Sequence, residues 1–376
     1  MSNVILPPAT VGIIGGGQLG RMMAIAAKQM GYFIAVLEPS PNGPLAQVAD
    51  IEINAPYENE QALQQLLQVS DVVTYEFENI NSAVIETLSN VGYLPQGHEP
   101  LAITQHRLTE KRAIEKAGFK VAPYASVTCE SDLYEAIKHI EFPCILKTVS
   151  GGYDGKGQWK LEGEQDIANV LPVLKQQACI LEGYVPFDKE VSIIVTRSTS
   201  GEIETFPVSE NIHVNHILHQ SIVLARVNEC VLEKADNIAR ELMTALNFVG
   251  TLAIEMFLVG EEIIINELAP RPHNSGHYTI EGCNVSQFEQ HIRAVCGLPL
   301  LKVKLSGYSV MINILGQHVP YVLEQLQSDV LSHAKVHLYG KAENKFNRKV
   351  GHVTFVHEDY EVVKQDVERF LANFGE

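Results

Sequence analysis

Long apolar runs are missing from this 376-residue chain. The longest, residues 249–259, carries Glu255 and falls well short of the ~18 apolar residues a membrane-crossing helix needs. The N-terminus has no basic stretch ahead of its first apolar run, and Pro7-Pro8 interrupts that run, so no secretory signal is expected. Basic side chains are scarce: 28 against 45 acidic ones, or 28 − 45 = −17. Such a surface repels nucleic acid and anionic membrane, so neither is an expected partner. The six cysteines (129, 144, 179, 230, 283 and 296) include no C-x-x-C pair and no zinc-like spacing. They read as small core residues in a reducing cytoplasm. The sequon Asn284-Val285-Ser286 carries no meaning without a secretion signal. Repeats and low-complexity tracts are also absent.

What is present is a globular composition, 46% apolar and 19% charged, which excludes disorder. The length predicts two or three domains at about 100–200 residues each. Three blocks can be separated. Residues 1–100 alternate strand and helix: strand 11–14, glycine turn 15–20, helix 21–30 stopped by Gly31, strand 32–37, and a later strand 69–77. This βαβ pattern predicts a Rossmann-like parallel sheet with helices on both faces. Residues 101–185 form a smaller α+β block, with a helix over 108–117 and strands near 144–148 and 158–161. Residues 186–376 contain a helix whose Leu232, Ala235, Ile238, Ala239, Leu242, Met243 and Leu246 share one face. Strands 251–258 and 263–268 follow, joined by a short turn at Gly260. The fold class is therefore α/β and α+β.

Four constellations could carry chemistry. Gly15, Gly17 and Gly20 satisfy G-x-G-x-x-G between a strand and a helix, and Glu38 ends the next strand where a ribose-binding acid would sit. The turn suits a dinucleotide, another ribose-phosphate ligand at a helix N-terminus, or a purely structural role. The second, Gly151 to Gln158, places four glycines in seven residues between two strands, with Lys147 four residues ahead. It is not a Walker loop, because Lys156 is not followed by Ser or Thr. It has the character of a phosphate-covering flap. In the third, Glu255 and Glu267 lie nearly opposite each other in two apolar strands. Facing residues in such a pair stand ~4.5–5.5 Å apart. Carboxylates that close repel, and Mg²⁺ removes the conflict, with Asn266 able to add an oxygen. The fourth joins the stretch 271–277 to a late basic stretch of Lys341, Lys345, Arg348, Lys349 and His352. In so acidic a chain it suits a phosphate monoester.

The flap, the strand lysine and the paired acids together resemble the ATP-grasp superfamily, which holds ATP between two α+β domains behind a Rossmann-like first domain. At closer range, GGGQLGR at 15–21, TYEFENI at 74–80, GGYDGKGQ at 151–158, NELAPRPHNSGH at 266–277 and RKVGH at 348–352 resemble the N5-carboxyaminoimidazole ribonucleotide synthetase family. The resemblance spans nearly the whole chain. It implies the carboxylation of 5-aminoimidazole ribonucleotide by ATP and bicarbonate through carboxyphosphate, in purine biosynthesis. It also implies a homodimer.

Residue by residue, the resemblance implies that Arg107 and Lys147 contact phosphates beneath the flap Gly152, Tyr153, Asp154, Gly155, Lys156, Gly157 and Gln158. Glu182, Gly183, Tyr184 and Val185 would meet adenine, Glu190 the ribose, and His213 a further part of the nucleotide. Glu255 and Glu267 would bind Mg²⁺, with Asn266 beside them. Arg271, His273 and Asn274 would hold bicarbonate. Tyr153, Asp154, Lys341, Arg348 and Lys349 would meet the ribonucleotide, together with Gln18, Leu19 and Glu76. Asp154, Lys341 and Arg271 would be the catalytic groups, the carboxylate taking the amine proton and the cations stabilising developing charge. The family flap sometimes carries arginine where this chain has Lys156.

Two other readings stay open at this level. A formate-dependent glycinamide ribonucleotide transformylase shares the P-R-P-H element. It resembles this chain less in the flap, where Tyr153-Asp154 replaces a serine run, and at Asn274, where it has Asp. An imidazole offers Tyr153 a flat face that glycinamide does not. A dinucleotide oxidoreductase would use the glycine turn and Glu38.

Overall fold

The computed structural model describes residues 3–152 and 155–374. Tyr153 and Asp154, to which the flap motif gives substrate-binding and catalytic roles, lie outside the described residues. Among the described residues, seventeen strands form three sheets.

The first sheet holds β1 (Thr10–Ile14), β2 (Phe33–Leu37), β3 (Ile51–Ile53) and β4 (Val72–Tyr75) in the order β3-β2-β1-β4. Every pairing is parallel, and β1, β2 and β4 are almost wholly buried, as is usual for a parallel sheet. The turn after β1 needs glycine at Gly15, where φ is +101°. The helix Gln18–Gln29 then begins without a side-chain cap from its own N-cap residue. The missing acceptor comes from the neighbouring strand's end. Glu76, just past β4, accepts from the Gly17 and Gly20 amides, the latter at 2.7 Å. Glu38 accepts from Gly16 N at 2.8 Å and from the Tyr57 hydroxyl at 2.6 Å. Two carboxylates of the protein thus face the positive end of this helix.

The second sheet holds β5 (Tyr124–Val127), β6 (Cys144–Thr148), β7 (Gln158–Leu161) and β8 (Cys179–Gly183) in the order β5-β8-β6-β7, all antiparallel. The third is a nine-stranded sheet: β9 (Lys189–Arg197), β10 (Ile203–Thr205), β11 (Ser209–Val214), β12 (Ile217–Val223), β13 (Gly250–Val259), β14 (Glu262–Ala269), β15 (Tyr308–Leu315), β16 (Ala334–Leu338) and β17 (Lys349–His357). Its path runs β14-β13-β9-β11-β12-β15-β17-β16, with β10 beside β9. The helix Glu229–Ala245 packs Val231, Ala235, Ala239, Leu242 and Met243 into the core it shares with β9 and β14, the face its periodicity predicts. No helix among the described residues is long and apolar enough to cross a membrane, and all six cysteines are free thiols, four of them buried, whereas Cys129 and Cys230 are exposed and do not join the core as expected.

The helix Gln287–Val295 joins the first sheet to the third. Its Phe288, Ile292 and Val295 share a core with Met22 and Met23. From the same helix His291 accepts from Thr251 N on β13 at 3.1 Å. Its Nε2, which then carries the proton, meets Thr74 Oγ1 on β4 at 2.8 Å. Burial lowers the pKa of His291 from 6.5 to about 3. Below the ordinary value the unfolded chain takes up a proton that folded His291 refuses, so stability falls as pH drops from 6.5 toward about 3. We expect the denaturant midpoint to fall between pH 7.5 and 5.5, and to fall less in His291→Gln. An equal fall in both proteins would remove this histidine from the account.

Candidate functional site

The site is built around β13 and β14. Glu255 and Glu267 are register partners across this pair. An irregularity follows: Met256 pairs with Ile265, so Asn266 is the extra residue of a bulge. A bulge re-aims side chains, and Asn266 and Glu267 are both half-buried instead of alternating between faces. Burial first, then the charge of Glu267, raises the pKa of Glu255. Two groups answer that charge. Arg107 Nη1 lies 3.2 Å from Glu267 Oε2, and His273 Nε2 lies 3.2 Å from Glu255 Oε1. Because Ser275 N donates to His273 Nδ1 at 3.3 Å, the ring proton sits on Nε2 and points at Glu255. Burial and then Arg271 hold the pKa of His273 well below its ordinary value, so the donor to Glu255 is a neutral imidazole.

Sequence reasoning missed a third acid here. Glu110, on the helix Arg107–Lys116, is buried and accepts from Leu268 N at 2.8 Å. Burial and the nearby Glu267 raise its pKa. Its signal in the sequence was weak, an ordinary Glu in a polar helix.

Between the second and third sheets lie the groups expected to meet nucleotide. Lys147 on β6 donates to Glu182 Oε2 at 2.8 Å, and Lys111 lies 3.3 Å from Glu182 Oε1. All three side chains are at most 10% exposed. Burial raises the pKa of Glu182, but Lys147 and Lys111 pull it down further, to about 2. The carboxylate of Glu182 is thus committed to the two lysines, and Lys111 is a second residue that the sequence did not single out. Val185 belongs to a small apolar cluster with Ala122 and Ile264, on which Phe257 and Val259 pack. Phe187 stacks on Phe257 with ring centres 4.6 Å apart. Gly183 N donates to Pro123 O at 2.8 Å, and Tyr184 is exposed with Lys160 Nζ over its ring. On β9 and β11, Glu190 and His213 form a 2.5 Å pair. Burial lowers the pKa of His213, but the contact with Glu190 and the charges of Glu190 and Glu255 together outweigh it, and the net shift is upward.

The flap segments on either side of 153–154 reach both walls. A Cβ on Gly152 would meet the Lys156 carbonyl at 2.8 Å and lie 3.5 Å from Arg107 Nη2. Gly155, at φ +79°, has no room for one against His216 in the turn between β11 and β12. Lys156, Gly157 and Gln158 lead from there into β7.

Beyond the acids, Arg271 binds Glu78 through both Nε and Nη2, the second at 2.8 Å. Glu78 lies inside the TYEFENI stretch, but sequence reasoning gave it no role. Asn274 and Asn313 exchange side-chain hydrogen bonds at 2.9 and 2.7 Å. Lys341 Nζ donates to Lys349 O at 2.7 Å, and Arg348 Nη1 reaches Glu343 O at 3.4 Å. Gln47 Nε2 donates to Gly340 O at 2.7 Å, tying the first sheet's block to the segment that carries Lys341.

Two expectations are corrected. His352 does not belong to the basic patch. It is fully buried, and burial, followed by His277 and His337, holds its pKa well below the ordinary value. Glu38 is not a free ribose-binding acid, because its carboxylate is held by Gly16 and Tyr57. The structure also places Leu19 in the core beside Gln18 at the helix start, and Glu76 beneath the glycine turn with both oxygens engaged.

Residues 8–105 match the ribonucleotide synthetase preATP-grasp domain, residues 112–288 the ATP-grasp domain, and residues 309–366 the phosphoribosylaminoimidazole carboxylase C-terminal domain. The N5-carboxyaminoimidazole ribonucleotide synthase of Bacillus subtilis (strain 168) is 52% identical over 94% of this chain and 93% of its own. A crystal structure of the ADP complex of an N5-carboxyaminoimidazole ribonucleotide synthetase superposes with a TM-score of 0.96 at 54% identity, covering 99% of this chain and 98% of that one. The Aspergillus clavatus N5-carboxyaminoimidazole synthase in complex with ADP and 5-aminoimidazole ribonucleotide superposes with a TM-score of 0.90 at 27% identity, covering 97% and 98%.

Replacing Glu182 leaves Lys147 and Lys111 buried without their anion. Breaking a buried pair in this way costs about 3–5 kcal/mol. We expect Glu182→Gln to lower the urea midpoint accordingly, measured by circular dichroism at pH 7.

Proposed function

This chain belongs to the N5-carboxyaminoimidazole ribonucleotide synthase family of ATP-grasp enzymes, and from that membership we propose how its residues share the work. The reaction is ATP-dependent carboxylation of 5-aminoimidazole ribonucleotide to the N5-carboxy compound, a step of purine biosynthesis. The observation that carries the assignment of the centre is the facing pair Glu255 and Glu267, beside Arg107 and within reach of the glycine flap.

The donor set fits Mg²⁺. Glu255 and Glu267 oppose each other with their mutual charge only partly answered, and the bulge adds the Asn266 oxygen. When bound, the ion would neutralise phosphate charge. Arg107 and Lys147 bind the phosphates of ATP, covered by Gly152 to Gln158. The apolar cluster of Val185, with Phe257, receives adenine, and Glu190 with His213 receives the ribose. Glu182 holds Lys147 and Lys111 in place and offers adenine its backbone.

Arg271 is held rigid by Glu78, so its guanidinium is pre-set for a bicarbonate oxygen, and Asn274 is fixed by Asn313. His273, donating to Glu255, completes that pocket. Bicarbonate attacks the γ-phosphorus, its oxygen forming the new P–O bond as the bond to the β-phosphate oxygen breaks, giving carboxyphosphate and ADP. The exocyclic amine then takes the carboxyl group, and phosphate leaves. Asp154 receives the amine proton and Tyr153 faces the imidazole, assignments supported by the flap motif. Lys341, Arg348 and Lys349 bind the ribonucleotide phosphate. Gln18, Leu19 and Glu76 shape the same pocket, Glu76 by holding the glycine turn. We divide the chain at 1–100, 101–185 and 186–376, since each sheet lies wholly inside one stretch. A homodimer in the cytoplasm belongs to the same proposal, and the free thiols suit a reducing compartment.

The deciding experiment measures ADP release with each pairing of acid and ribonucleotide. Release with bicarbonate and 5-aminoimidazole ribonucleotide is expected, whereas release only with formate and glycinamide ribonucleotide would reverse the substrate assignment. Glu267→Gln should keep its circular dichroism spectrum and lose at least about 10²-fold in turnover, the scale for removing one electrostatic contact to the reacting group. Near-normal turnover would sink the metal assignment. Lys341→Ala should leave ADP affinity unchanged while ribonucleotide-stimulated ADP release falls about 10²-fold. Unchanged ribonucleotide kinetics would remove Lys341 from the site.

A further inference from the structure

Behind the bicarbonate pocket lies a cluster that none of these roles uses. His337 on β16 and His352 on β17 are register partners, with rings 13° from parallel and centres 4.5 Å apart. Glu281, on the short helix Thr279–Gly282, reaches the same place, its Oε1 2.7 Å from His337 Nε2. One potential ligand atom from each of the three falls within 4.8 Å of the others.

The polar atoms here are under-satisfied. His352 Nε2, Glu281 Oε2 and His277 Nε2 are buried without a hydrogen-bond partner. His277 and His352 are both fully buried, their ring centres 4.8 Å apart. Two of the three clustered residues, Glu281 and His352, thus each carry a buried polar atom that needs a missing partner. The second layer suggests which kind. Tyr339, itself buried, places its hydroxyl 2.9 Å from His352 Nδ1. With Nδ1–H donating to that oxygen, Nε2 presents its lone pair to the cluster, the arrangement by which an outer oxygen orients a metal-binding histidine. Two imidazoles and one carboxylate make the three-ligand set of an open zinc site. Mg²⁺ would want more oxygens than the cluster offers.

We propose that Glu281, His337 and His352 form a site for one divalent cation of the Zn²⁺ class, separate from the Glu255–Glu267 pair. The ion clasps β16 and β17 to the helix that follows the Arg271–His277 loop. Lys349 opens β17 and Lys341 follows β16 by three residues, so the clasp holds the substrate-phosphate segment against the bicarbonate pocket.

The test uses tag-free full-length protein, stripped with chelator and then incubated with Zn²⁺ or Co²⁺ and desalted. Wild type should retain about one equivalent of Zn²⁺, and bound Co²⁺ should show visible bands of a low-coordinate site. Excess Mg²⁺ should displace neither. His337 is about a third exposed (31%), so His337→Ala leaves the core packed. It should retain the ion more than about tenfold less tightly, and Tyr339→Phe should weaken binding about 10–100-fold. Zn²⁺ should raise the melting temperature of wild type and of Glu267→Gln but not of His337→Ala. Equal retention by wild type and His337→Ala, displacement by Mg²⁺, or no retention at all, which would leave a buried water only, overturns the proposal.

Discussion

Two carboxylates facing each other across one antiparallel pair repel, and much of the molecule can be understood as the surroundings that keep Glu255 and Glu267 in place despite it. The strands that carry them have cores of Ile254, Met256, Ile265 and Leu268, so neither strand can slip without turning an apolar set outward. Arg107 comes from another block of the chain to meet Glu267, and neutral His273 donates to Glu255. Glu110 stands in the same neighbourhood, its pKa raised by burial and by Glu267, and accepts from Leu268 N. The like charge left over is what the proposed cation and polyphosphate would answer.

The same device recurs at lower charge. Glu182 sits between Lys147 and Lys111, and Glu78 grips Arg271. In each case an acid holds a cation in place, and under the proposed roles of Lys147 and Arg271 that reduces the reorganisation needed when substrate anions bind. Glu76 and Glu38 do the converse at the glycine turn. They occupy amides that a dinucleotide phosphate would otherwise take. This gives a physical reason why a G-x-G-x-x-G turn after a strand need not bind a dinucleotide, since the anion at the helix N-terminus is the protein's own side chain.

Periodicity carried most of the architecture. The parallel first sheet, the strands at 144–148 and 158–161, the amphipathic helix over Glu229–Ala245 and the hairpin about Gly260 could all be read from alternation, 3.6-residue spacing and turn residues. The facing of Glu255 and Glu267 followed from counting outward from that turn. His352 was misread because a histidine beside Arg348 and Lys349 looks cationic in a linear text. Its charge is set by burial, and burial of one residue on a strand depends on what covers that face. Glu110, Lys111 and Glu78 escaped notice for the related reason that their partners are distant in the chain: Leu268, Glu182 and Arg271.

By itself, then, the amino-acid order determined local geometry and residue chemistry: which segments alternate, where glycine permits a turn, which acids face each other across a short hairpin, and which motifs resemble a family. Tertiary structure decided which charges survive and which are spent. Whether Glu38 binds ligand or Tyr57, whether His352 is an ammonium-like cation or a buried neutral ring, and whether Glu281, His337 and His352 meet at all depend on contacts between segments far apart in the chain. Electrostatic energy varies with distance and burial, neither of which is a property of sequence position.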